Sequence, residues 1–233
     1  MEWALFTQEG LQFFLRWLHI LGGVSWIGIL WYLNFSQGPF MNEVDATVKT
    51  AVNAKLAPRT LWYFRWGAML TVLTGWAIIG MRMSTPGGAA LVGTSWGVTI
   101  LTGALMGTVM WFNVWFVIWP RQKKIIAAAN GGPAVENAAG LARRAFLASR
   151  TNTLLSVPLL FLMAAGSHLA IAVNPACVGI WFAGLIVVLA LIEANALLAT
   201  TGATTKPIEK PKGVIHMGML LTVILYVLLE VLL

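Results

Sequence analysis

Residues 11–33 read LQFFLRWLHILGGVSWIGILWYL. Apart from Arg16 and His19 the stretch has no basic or acidic side chain. Wound as an α-helix at about 1.5 Å per residue it reaches roughly 35 Å, enough to cross a hydrocarbon core of about 30 Å. Read this way, the segment is a membrane-spanning helix with an arginine and a histidine one turn apart on the same face. A chain that tolerates those two groups at membrane depth has a reason to place them there.

Five further stretches have the length and apolarity to span: roughly 61–82, 95–119, 153–173, 178–200 and 213–232. Backbone polar groups in lipid must be paired within helices or a closed barrel, and nothing in the chain alternates with the two-residue period of barrel strands. The expected fold is therefore all-α, a polytopic membrane bundle of about six helices forming a single domain over 1–233. Composition agrees: 59% of the 233 residues are hydrophobic and 10% charged, with mean hydropathy +0.81, the profile of an integral membrane protein.

The net charge of +7 follows topology rather than a polyanionic partner. Lys49, Lys55 and Arg59 lie between helices 1 and 2. Arg121, Lys123, Lys124, Arg143, Arg144 and Arg150 lie between 3 and 4, and Lys206, Lys210 and Lys212 between 5 and 6, so alternate connections hold 12 of the 15 basic residues. The positive-inside rule then puts these connections in the cytoplasm and both termini in the periplasm of a bacterial inner membrane. No nucleic-acid partner is expected. The opening MEWALFTQEG lacks the basic start of a signal peptide, so helix 1 is expected to be retained. The lone Cys177 allows no internal disulfide, no CxxCH haem attachment and no iron–sulfur cluster.

Within the connections, EVDATVKTAVNAKL (43–56) has helical apolar spacing and is expected to lie along the cytoplasmic surface. GGP at 131–133 is expected to separate two short amphipathic pieces. Trp111, Trp115 and Trp119 share a helix face and read as an interfacial belt; Gly103 and Gly107 form a GxxxG pair suited to close helix contact.

The ionisable groups expected at membrane depth are Arg16, His19, Arg65, His168, Glu193 and His216. His19 and His168 fall about 12 and 8 Å from the same end of their oppositely directed helices. Each is flanked by small residues: Gly22 and Gly23 follow His19 by three and four positions, and Ala164 and Ala165 precede His168. An imidazole beside a clearing is what a haem between helices requires, and Arg16, one turn outward, is placed to pair with a propionate. Bis-histidine ligation of haem b by His19 and His168, with Arg16, Gly22 and Gly23 completing the site, is one reading. The other is that each histidine is a packing residue bonded to a neighbouring carbonyl. Glu193 and His216, both toward the cytoplasmic side, form a candidate proton-relay or quinone-site pair or, alternatively, a structural hydrogen bond between two helices. Arg65 reads as a snorkelling side chain.

LRWLHILGGVSWIGILWYL (15–33), GTVMWFNVWFVIWPRQKKI (107–125) and SRTNTLLSVPLLFLMAAGSHLA (149–170) resemble, in order, the membrane domain of bacterial urate hydroxylases, the urate oxidase N-terminal domain family. WYFRWGAMLTVLTGW (62–76) is similar to that family's second helix, whereas helices 5 and 6 contribute little. Helix 1 alone also resembles copper-resistance D-type and protoporphyrinogen-oxidase J-type membrane proteins. The family resemblance implies a membrane oxidoreductase followed by a cytochrome c domain; no CxxCH occurs in this sequence, so electrons would pass to a separate periplasmic cytochrome c or another subunit. The expected function is thus a haem b membrane redox protein. The alternatives are a non-catalytic subunit of a respiratory or photosynthetic complex, or a haem-biosynthesis or copper-handling membrane protein, in any case with the lipid bilayer as a partner and an oligomer as a further possibility.

Overall fold

The computed structural model describes residues 3–233, and of the opening MEWALFTQEG only Met1 and Glu2 lie outside them. Among the described residues six helices are long and apolar enough to cross a membrane: α1 Gln8–Glu43, α2 Ala46–Met83, α3 Ser95–Ala129, α4 Ala138–His168, α5 Pro175–Leu198 and α6 Pro211–Leu232. No strand occurs among the described residues. Side-chain caps set the helix starts. Thr7 accepts from the Gly10 amide at 3.0 Å, Asp45 from Val48 at 2.9 Å, Thr94 from Gly97 at 3.1 Å and Asn137 from Gly140 at 3.1 Å, each satisfying an amide the helix leaves orphaned. Asn137 does so from a left-handed backbone, φ +51°, a conformation asparagine tolerates.

The helices are longer than the apolar stretches. EVDATVKTAVNAKL is not a separate surface helix: from Ala46 it runs straight into α2. GGP does separate two helical pieces, but they are not short helices of their own: they are the end of α3 and the start of α4. The reason is cooperative: once a spanning helix is nucleated and packed, each added residue gains a hydrogen bond without a new nucleus. In the other direction α4 stops at His168 rather than 173, and 169–174 has no regular secondary structure. Three π-helical turns interrupt the long helices, at Leu33–Gln37, Val52–Leu56 and Asn113–Ile118.

The helix α4 is the centre of the bundle. Its most apolar window is 61% buried, against 22–44% for the other five, and it packs on α3, α5 and α6. Helices α1 and α2 form the tightest pair. They approach closely at Gly22 and Gly67, where a methyl on Gly22 would lie 3.1 Å from the Gly67 carbonyl. The outer faces carry exposed Trp17, Leu73, Ile186, Leu191 and Val231, as expected of surfaces that meet lipid tails.

One end of the bundle gathers the α3 start, the 169–174 segment and the chain end: the Ser95 hydroxyl donates to Leu169 O and accepts from Ile171 N, and Asn174 N donates to Leu233 O. The opposite end gathers the basic connections. There Arg144 donates to the Ala196 and Ala199 carbonyls, both at 2.8 Å, closing the C-terminal turn of α5, and Arg143 pairs with Glu209.

Candidate functional site in the membrane

Helices α1 to α4 line a partly open cavity of about 630 Å³ whose surface is mainly apolar, within the range of small-molecule sites. His19 sits on its wall. The histidine Nδ1 is 2.8 Å from the Thr71 carbonyl of α2. A carbonyl only accepts, so Nδ1 carries the proton and the lone pair of the neutral ring resides on Nε2. Among the described residues Nε2 has no hydrogen-bond partner. Gly75 makes this seat possible, because a methyl there would lie 3.0 Å from the imidazole Cε1. Arg16, exposed and one turn toward the bundle end, lines the same cavity. So do Trp26, 1% exposed, and Trp31, whose indole donates to Ser156 at 2.9 Å. The Trp26 indole N–H is buried with no acceptor, an orphaned donor at the cavity wall.

The residues singled out in the sequence divide. Arg16, His19 and Gly23 line the cavity. Gly22 does not: it faces α2, where a methyl would meet Thr71 Oγ1 at 2.7 Å, while one on Gly23 would enter open space. Gly22 is thus a helix-contact glycine rather than part of a clearing. His168 is exposed at the last turn of α4, and the α4 residues reaching the cavity are Leu159, Leu160, Met163 and Ser167. The structure therefore brings His19 and Arg16 together but leaves His168 outside the wall.

Glu193 and His216 are not brought together by a hydrogen bond. Glu193 Oε2 accepts from Asn113 at 2.9 Å. The same Asn113 amide donates to Asn152 Oδ1 at 3.0 Å, and Asn152 donates to the Met110 carbonyl at 2.9 Å. This network ties α3, α4 and α5 with Asn113 and Asn152 fully buried. His216 occupies an exposed position on α6, which packs on α4. Arg65 does not snorkel freely: its guanidinium lies 3.8 Å from the Trp119 ring centroid, and its carbonyl accepts from the Trp115 indole at 3.2 Å. The same guanidinium lies 5.8 Å from the Trp115 ring centroid, so two of the three belt tryptophans face this cation.

Thr71, Gly75 and Trp26 carry the site alongside His19 and were not singled out by sequence; a Thr-x-x-x-Gly step in a spanning helix was the available signal. Asn113 and Asn152 were missed because they carry no charge, although an uncharged amide at membrane depth also demands a partner.

A model of the urate oxidase N-terminal family matches residues 88–228, from just before α3 into α6, and so includes the two helices that contribute little to the sequence resemblance. The helices α1 and α2, which supply Arg16, His19 and Thr71, precede the matched region. No curated protein and no solved structure matches the chain. With well over half of its residues covered, this six-helix membrane protein belongs to the urate oxidase N-terminal family.

Proposed function

We propose that the chain is a membrane redox protein that holds haem b in the α1–α4 cavity through His19 and passes electrons to a cytochrome c at the bundle end bearing the termini. The observation that carries this reading is the His19 seat. The Thr71 carbonyl holds the Nδ1 proton at 2.8 Å, which fixes the tautomer and ring orientation and leaves Nε2 as a ligand nitrogen, the arrangement in which metal-binding histidines are found. Arg16 is the cation for an anionic edge group, the Trp26 N–H is a donor without an acceptor, and the wall is mainly apolar. When bound, the group supplies one-electron chemistry at its iron. The chain's own residues bind, orient and desolvate it. The positive-inside bias supports a periplasmic exit side in a bacterial inner membrane.

The test is the dithionite-reduced minus oxidised spectrum and pyridine haemochrome of the purified protein. A b-type band is expected in the wild type and in His168→Ala, and its loss in His19→Ala. Wild-type protein that carries no haem after expression with a haem precursor would overturn the reading and favour a non-catalytic subunit.

A further inference from the structure

A second cavity, of about 210 Å³ and partly open, lies nearer the basic end of the bundle, lined by α1 to α4. Its character is opposite to that of the first. Asn34, Gln37, Asn53, Gln122, Ser149 and Arg150 all line it, and no carboxylate does. Arg150 is 3% exposed. Its Nε and Nη1 are buried without a hydrogen-bond acceptor, and its one recorded compensation is the Phe146 ring, 5.1 Å from the guanidinium carbon. The only ion pair among the described residues is Arg143 with Glu209. A buried guanidinium stays charged, and a buried charge without a counter-charge is costly. On the same wall the Gln37 Oε1 is a buried acceptor with no donor.

The backbone around this cavity is unusual as well. All three π-helical turns contribute to its wall: Leu33–Gln37 through Asn34 and Gln37, Val52–Leu56 through Asn53, and Asn113–Ile118 through Ile118. Such turns insert a residue into a helix and recur at functional sites.

We infer that this cavity is a binding site for an oxyanion bearing a hydroxyl, seated on Arg150. Arginine donates to phosphate-type oxygens, and the hydroxyl is the donor that Gln37 Oε1 lacks. Two sources share this chemistry: free dihydrogen phosphate, and the phosphodiester with glycerol hydroxyls of a phosphatidylglycerol headgroup. The inference does not depend on haem.

The full chain is reconstituted in phosphatidylcholine nanodiscs and its thermal unfolding followed by intrinsic fluorescence. One arm titrates sodium phosphate against chloride at constant ionic strength; the other replaces part of the lipid with phosphatidylglycerol and adds native mass spectrometry. A saturable rise in Tm with phosphate assigns the free anion. A rise with phosphatidylglycerol, together with one retained lipid and no further effect of phosphate, assigns the headgroup. Either response is expected to disappear in Arg150→Met. Should that variant not fold, Ala142→Leu, which narrows the cavity at an exposed wall position, is expected to abolish the response with Arg150 in place. No rise in either arm, as for a cavity that holds water alone, or an undiminished rise in the folded variants, would overturn the inference.

Discussion

Gly22 and Gly23 are adjacent, identical and both within reach of His19, yet substituting them by alanine should have opposite consequences. A methyl on Gly22 would lie 2.7 Å from Thr71 Oγ1, 3.0 Å from the Thr71 amide and 3.1 Å from the Gly67 carbonyl. The threonine hydroxyl is itself held on the Gly67 carbonyl at 2.7 Å, so it has no free direction in which to yield. Relief requires α1 and α2 to part by a few tenths of an ångström along their tightest contact. Overpacking of this kind costs about 1–3 kcal/mol, which in a chain of this size lowers Tm by roughly 2–12 °C. The shift also moves Thr71, whose carbonyl holds His19, so haem retention should fall with stability. Gly23→Ala places its methyl in open space at the cavity wall and gains up to about 1 kcal/mol in helix propensity. Its Tm should be unchanged or higher. The assay is thermal denaturation of both variants in the same detergent, with the haem-to-protein ratio measured in parallel. Equal Tm values, or a Gly23→Ala protein less stable than Gly22→Ala, would refute the helix-contact assignment.

Three further outcomes follow from the geometry. Asn113→Leu should destabilise by about 1–3 kcal/mol for each group it orphans, here Glu193 Oε2 and Asn152 Oδ1; part of that loss should be recovered in Asn113→Leu/Glu193→Leu, and a simple sum of the single effects would contradict the network. Arg65→Ala should lower stability by about 0.5–2 kcal/mol, with Trp119→Phe in the same background adding little, since the cation over that ring is already gone; chemical denaturation in detergent reads both. Arg143 donating to Glu209 holds that carboxyl below its ordinary value of 4.5. The folded form thus binds its proton less readily than the unfolded chain, so the contribution is full above pH 4.5 and is lost as pH falls through the lowered value. Glu209 is 34% exposed, so Glu209→Gln should cost no more than about 1 kcal/mol at neutral pH, nothing below the lowered value, and less at high salt.

What the sequence by itself determined is the layout along the membrane normal. Apolar length fixed six helices, and the partition of lysine and arginine separated one end of the bundle from the other, because both properties are sums over neighbouring residues and need no knowledge of packing. His19 and Arg16 were legible for the same reason: two polar groups one turn apart in an apolar helix share a face whatever surrounds it. Rotation about each helix axis was not legible, and tertiary structure decided it. Gly22 and Gly23 look equivalent until α2 arrives on one side. His168 sits at a matching depth to His19, yet its turn of α4 leaves it exposed while Met163 and Ser167 reach the cavity. Glu193 found Asn113 rather than His216 because α5 lies against α3 and α4, while α6 packs on α4. Arg150 read as one more cation of a cytoplasmic connection, since the sequence gives no sign that α4 begins at Ala138 and carries it inward as a helical residue. Depth follows from counting residues, whereas facing depends on which neighbour fills each groove, and that choice is made by all six helices packing together.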